Sequence, residues 1–267
     1  MVENKIKEDS SMSLRVNTNV AALNSHAQLT KSDRAMSASM AKLSSGYRIN
    51  NAGDDASGLA RANTLRSNVK ALQVAAQNTV EGKASLSISE GAATQIEGIL
   101  ERMKELCTKA TNDSASNAEI ARMVEEIDRI ASASGTSSVQ NNSFQVGITS
   151  DSFSQVSVAI GAMSATALGV NGVAAATTAN IATINTAIAT ISGILGQIGA
   201  GMNRLDFTYD NLQSLIVNTS ATESSIRDVD MAAEMVTFTK TQIMTQAGTA
   251  MLAQANTASQ SILSLFR

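Results

Sequence analysis

A chain of 267 residues can hold one large domain or two small ones, and its 43% hydrophobic content is ordinary for a soluble protein. With no Trp, no Pro and only 3% aromatic residues, any core must be built from Ala, Ile, Leu, Val and Met, and no Pro forces a stop in a long helix. A formal net charge of −3 without a basic cluster argues against nucleic acid, and a single cysteine, Cys107, rules out an intrachain disulfide.

Residues 1–12 read as a disordered leader: Met1 to Ser11 carry charges of both signs with no apolar run behind them, the wrong order for a cleaved secretory signal. A helical pattern starts at Leu14, with Val16, Val20 and Leu23 in one register and Leu29, Met36, Met40 and Leu43 in another, and stops near Gly46. The stretch from Asn50 to Gly58 is dense in turn formers, and its Asp and Ser side chains suit a new helix start just after it. That second helix carries Leu65, Val69, Leu72 and Ala76, then Leu86, Ala93, Ile96, Leu100, Met103 and Cys107, and ends at Asn112-Asp113-Ser114. A third shows Ile120, Val124, Ile127 and Ile130 and runs out after Ala131.

From there to about Thr178 the period becomes two. Phe144, Val146 and Ile148 alternate, then Val156, Val158 and Ile160, which predicts a β-hairpin near 140–165. A strict heptad seam follows: Ile181, Ile184, Ile188, Ile191, Leu195, Ile198, Met202, Leu205, Tyr209, Leu212 and Ile216. At 1.5 Å per residue this coiled-coil helix is about 54 Å long. The segment between Asp151 and Arg204 has no charge, but Thr, Ser, Asn and Gln interrupt it often enough to argue against a membrane span. A last amphipathic stretch runs through Ile226, Val229, Val236, Ile243 and Ala247 to the apolar tail Ile262, Leu263, Leu265 and Phe266.

Three passages carry a resemblance. They are Ser13-Leu14-Arg15-Val16-Asn17-Thr18-Asn19-Val20-Ala21-Ala22-Leu23-Asn24, the run from Leu43-Ser44-Ser45-Gly46-Tyr47-Arg48 through Ala56-Ser57-Gly58-Leu59-Ala60, and Gln246-Ala247-Gly248 through Leu265-Phe266-Arg267. Together they resemble the two ends of bacterial flagellins, and Phe144-Gln145-Val146-Gly147 and Ile160-Gly161-Ala162-Met163 are similar to the hairpin region of that family. The likeness covers nearly the whole chain from Met12 and leaves no room for the variable outer domains many flagellins carry. Thr257-Ala258-Ser259-Gln260 departs from the family, standing where a Pro is common.

The resemblance implies a mainly α fold, with long antiparallel coiled-coil helices from both chain ends and a small β-hairpin region in the middle. Residues 13–46 and 221–267 would form an inner shell, with Val16, Val20, Leu23, Ile243, Ala247, Leu252, Ile262 and Leu265 making the assembly contacts. Residues 47–220 would form an outer helical shell whose seam runs through Ile184, Ile188, Ile191, Leu195, Ile198, Met202 and Leu205. The implied partners are further copies in a helical homopolymer, a flagellar export chaperone, the flagellar type III export apparatus, and filament cap and junction proteins. The implied location is the secreted, extracellular filament of the bacterial flagellum.

Individual residues divide between a sharper and a plainer role. His26 has no Cys, Asp or Glu at ligand spacing, so it reads as a helix-surface residue and no metal or cofactor is expected. Asp54 and Asp55 read as a turn and helix start, and Cys107 as a small buried hydrophobe. Arg102, Leu106 and Glu119 match flagellin positions that Toll-like receptor 5 engages, with Glu119 one heptad before Glu126, although Glu101 and Lys104 replace the commoner Gln and Arg. A receptor contact and ordinary subunit packing both stay open there. An enzyme needs a nucleophile-base pair or a metal cluster, and one His with one Cys offers neither. The reading is a filament subunit, with a hook-filament junction protein as the alternative; the terminal Leu263 to Arg267 favours the former.

Overall fold

The computed structural model describes residues 18–109, 113–149, 151, 154–173 and 175–265, with backbone alone at 259 and 262–265. In chain order the elements are α1 (Val20–Ser45), α2 (Ala56–Lys109), α3 (Ser114–Ala133), β1 (Gln140–Gln145), β2 (Gln155–Ile160), α4 (Ile181–Arg227), entered through a 3-10 turn at Thr178–Asn180, and α5 (Met231–Leu265). The fold is mainly α, with long helices from both chain ends and one two-stranded antiparallel sheet, as the composition and the resemblance imply. The chain divides into two compact units, Asn63–Thr222 and the joined ends Met1–Ala62 with Glu223–Arg267.

Helix boundaries follow local chemistry. The described first helix begins at Val20, where the Asn19 side chain accepts a hydrogen bond from the Ala22 amide at 3.0 Å and caps it; the expected start at Leu14 lies outside the described residues. It ends at Gly46, whose φ of 74° suits a left-handed cap and whose N–H donates to the Lys42 carbonyl at 2.8 Å. Asp55 accepts from the Gly58 amide at 2.8 Å, which starts α2 at Ala56, a little before the expected point. Asp113 caps α3 in the same way through Ala115 at 2.7 Å.

In the unit Asn63–Thr222 one contiguous core joins Leu86, Ile96, Leu100 and Met103 of α2, Ile120 and Ile127 of α3, Val156, Val158 and Ile160 of β2, and Ile184, Ile191, Ile198 and Leu205 of α4. Full burial of each such side chain contributes roughly 1.5–3 kcal/mol. A smaller cluster of Leu72, Ala75, Ala76 and Leu212, with Ile216 beside it, is the simple helix-to-helix part of the α4 seam.

Three expectations need correction. The first hairpin strand lies earlier than Phe144-Val146-Ile148: the register pairs Gln140 with Ile160 and Phe144 with Val156. Val146 still donates to the Ser154 carbonyl at 2.8 Å, but the Gln145 side chain donates to the Gly147 and Thr149 carbonyls and turns the chain, leaving Ile148 exposed. Residues beyond Ile160 form turns and not further alternating strand; the Asp128 and Asn117 carboxylate and amide oxygens accept from the Ala165 and Ala176 amides and hold that segment on α3.

The α4 stripe is also rotated. Ile184, Ile191, Ile198 and Leu205 are buried, but Ile188, Leu195 and Met202 are only half-buried, whereas Ala187, Ile194 and Gly201 are buried and Tyr209 is exposed. The cause is the hairpin, which packs on the other flank. A Cβ at Gly201 would stand 2.7 Å from Val158 Cγ2, and one at Gly161 would stand 3.0 Å from Ile194 Cδ1. Finally, the helix Thr178–Arg227 has an 18-residue window of mean hydropathy 1.4, so by length and composition it suffices to cross a membrane, since its isoleucines outweigh the polar interruptions. Those isoleucines face the protein core, and the open face carries Asn185, Thr186, Thr190, Ser192 and Gln197.

Candidate assembly surface

The joined ends are organised around two junctions. The Val229 N–H donates to the Gly46 carbonyl at 3.0 Å, the Arg48 N–H donates to the Arg227 carbonyl at 2.7 Å, and Tyr47 and Asp228 form an isolated antiparallel bridge. The Arg227 guanidinium lies 4.1 Å from the Tyr47 ring centroid, which gives a cation-π contact to a group whose Nε and Nη1 are buried without a hydrogen-bond partner. Nearby, the Asp54 carboxylate accepts from the Asn51 and Asn50 amides at 3.0 and 3.1 Å, and these bonds hold its pKa below the ordinary value.

From those junctions α1 and α5 run antiparallel. Asn19 Nδ2 donates to the Ala255 carbonyl at 2.9 Å near one end, and Ser39 Oγ donates to the Glu234 carbonyl at 3.4 Å near the other. The facing stripes recur at spacings of three and four: Ser25, Leu29, Ser32, Met36 and Ser39 on α1, Phe238, Thr241, Thr245, Gly248 and Leu252 on α5. Small residues dominate, and their hydroxyls can be satisfied locally, as when Thr241 donates to the Phe238 carbonyl at 2.8 Å and Thr245 to Gln242 at 2.7 Å. At Gly248 the approach is close: a Cβ there would meet Leu29 Cδ1 at 3.2 Å.

Beyond Leu29, Met36, Phe238 and Leu252, other bulky apolar residues point elsewhere. Val20, Leu23, Val236 and Ile243 are between 53% and 70% exposed, and Ala247 is exposed with them. Met235, Val236, Ile243 and Met244 line one shallow apolar groove along α5 with Thr239 and Lys240. Leu252 is half-buried in the helix pair. Val16 lies outside the described residues, as do the side chains of Ile262 and Leu265. Leaving a Val, Leu or Ile side chain in water forgoes roughly 1.5–3 kcal/mol each, so this surface is expensive in isolation.

In the other unit, Arg102 and Glu119 come together on the surface, Nη2 to Oε1 at 3.2 Å, with Glu105 at 3.0 Å from Nη1. The bonds to Glu105 and then Glu119 raise the Arg102 pKa above its ordinary value. Leu106 is apart from them in the core, 5% exposed. Cys107 is fully buried, and burial pushes its thiol pKa up. Among the described residues no group of three His, Cys, Asp or Glu is placed to hold a metal ion.

Comparison with known proteins matches residues 16–145 to the bacterial flagellin N-terminal helical region and residues 181–266 to the bacterial flagellin C-terminal helical region. The chain is 37% identical to the flagellar filament 31.3 kDa core protein of Treponema maltophilum, over 94% of its own length and 99% of that protein. It is likewise 37% identical to the flagellin of Bacillus subtilis (strain 168), over 95% of its length and 100% of the relative. The chain belongs to the bacterial flagellin family. Flagellin FlaB1 of Treponema pallidum (strain Nichols) is a further relative, 36% identical over 94% of the chain and 99% of that flagellin.

Sequence reasoning missed how the flagellin end helices meet. A search for apolar periodicity selects Val20, Leu23 and Ile243 together with Leu29 and Met36, and it passes over the Ser, Thr and Gly residues that alternate with Leu29 and Met36 on the stripe joining α1 to α5. The signal was present as small residues at heptad spacing, which allow close helix approach without apolar character.

Proposed function

We propose that this chain is the structural subunit that polymerises into a bacterial flagellar filament and so serves motility, with no catalytic step of its own. One observation carries the reading: α1 and α5 join through stripes rich in small residues and leave Val20, Leu23, Val236 and Ile243 open to water. Such a surface is satisfied when other copies supply the missing cover. Contacts of the head-to-tail kind that do not close into a ring extend into an open helical polymer.

In this reading residues 13–46 and 221–267 line the inner shell, where Val16, Val20, Leu23, Ile243, Ala247, Leu252, Ile262 and Leu265 meet neighbouring subunits, and residues 47–220 form the outer shell. Segments that cannot bury an apolar stripe alone have little to offset the entropy of ordering, so the ends gain their helical order on joining the polymer. An unfolded end also suits passage through a narrow export channel. The chain therefore travels by the flagellar type III apparatus, with a chaperone covering the carboxyl-terminal segment, and assembles extracellularly beneath a filament cap and upon junction proteins. The exposed Arg102 and Glu119 pair is the part of the expected Toll-like receptor 5 contact open to a partner, while Leu106 supports it from the core.

Electron microscopy after salt-induced assembly tests the proposal directly. The full chain is expected to form tubes, and a chain lacking Ile243 to Arg267 is expected to stay soluble and form none. Normal filaments from that truncation would refute it.

A further inference from the structure

Methionine is distributed unevenly between the two units. In the unit Asn63–Thr222, Met103 and Met163 are fully buried and Met123 and Met202 are half-buried against the core. Among the described residues of the joined ends, Met40, Met231, Met235, Met244 and Met251 are between 38% and 60% exposed, and only Met36 is half-buried. Among the described residues each unit exposes nine large hydrophobic side chains; five of the nine on the joined ends are methionines, and none of the nine on the other unit is.

That difference has chemical content. A thioether is apolar and adaptable, which suits a surface that must mould to neighbours, but its sulfur is open to two-electron oxidation. When a peroxide attacks, its O–O bond breaks, one oxygen bonds to sulfur, and the other leaves with a proton as water or an alcohol. The sulfur is oxidised by two electrons and the peroxide reduced by two. The product sulfoxide is polar and needs hydrogen-bond donors that an apolar interface lacks.

We propose that the exposed Met40, Met231, Met235, Met244 and Met251 are an oxidation-sensitive set on the α1 and α5 pair, which a peroxide converts to sulfoxides in the free subunit, blocking its polymerisation, and which the finished filament shields. The inference rests on the reading of the α1 and α5 pair as the polymer interface. The buried Cys107 does not compete, because the thiolate is the reactive form and its environment disfavours it. The oxidation is reversible by methionine sulfoxide reductases, so it holds back subunits without destroying them.

The test treats purified full-length monomer and preassembled filaments with hydrogen peroxide, maps each methionine by mass spectrometry, and measures polymerisation by sedimentation. In monomer the five exposed methionines are expected to oxidise about tenfold faster than Met103 and Met163, and in filaments to be protected by a similar factor. The oxidised monomer is expected to need about a tenfold higher concentration to polymerise, and reductases acting on both sulfoxide epimers are expected to restore it.

The variant M40L/M231L/M235L/M244L/M251L, close to volume-conserving, is expected to resist peroxide. Reductase rescue of the unaltered chain decides the matter should that variant fail to assemble. Normal polymerisation of fully oxidised monomer, or failure of rescue, overturns the proposal. Equal oxidation rates in monomer and filament overturn the shielding and the interface placement together. Absence of polymer from untreated chain sinks the filament reading separately.

Discussion

The two units contain similar side chains used in opposite ways. Between Asn63 and Thr222, Ile184, Ile191, Ile198 and Leu205 close against α2, α3 and the hairpin in one continuous core, although Phe207 and Val217 among others stay exposed. In the joined ends, Val20, Leu23, Val236 and Ile243 face out, while Ser25, Ser32, Ser39, Thr241, Thr245 and Gly248 face in beside Leu29, Met36, Phe238 and Leu252. A periodic apolar stripe therefore indicates that a surface will be covered, without saying whether the same chain or another copy covers it.

The contrast can be broken at its strongest point by truncating Ile198 or Ile191 to Ala. Each leaves a void in the closed core and is expected to lower unfolding stability by about 2–5 kcal/mol, read by thermal or denaturant unfolding of the monomer. A loss below about 1 kcal/mol would mean that this core is not the stabilising one. Gly201→Ala probes the same unit from the other direction. Its new methyl group would press on Val158 Cγ2 and is expected to cost about 1–3 kcal/mol, since the hairpin must shift to admit it.

Ile243→Ala sharpens the comparison from the open side. Monomer stability is expected to change by less than about 0.5 kcal/mol, while the concentration needed for polymerisation rises. A monomer that unfolds as easily as the Ile198 variant would show that Ile243 is already covered within the chain.

The smallest effect concerns Asp54. Its folded pKa lies below the ordinary 3.8, so its stabilising bonds to Asn50 and Asn51 are fully present above that value and fade as pH falls through the lower folded value. Asp54→Asn is expected to flatten the pH dependence of melting in that acidic window and leave it unchanged near about pH 7.

Much of this molecule was readable residue by residue. The stop at Gly46, the start supplied by Asp55, the cap at Asp113 and the alternation of Val156, Val158 and Ile160 all follow from chemistry within a few residues of each site. Arg102 and Glu119 meet at the surface, but the inward turn of Leu106 depends on which side of α2 faces α3 and α4.

Composition, period and local turn chemistry determined that long helices would form, where most of them would end, and that apolar stripes would run near both ends of the chain. Tertiary structure alone decided which flank of α4 the hairpin would press, and that α1 would meet α5 through its small residues. The reason is one of range: caps and turns are settled by neighbouring atoms, whereas a helix face acquires its meaning from distant surfaces that compete to bury it.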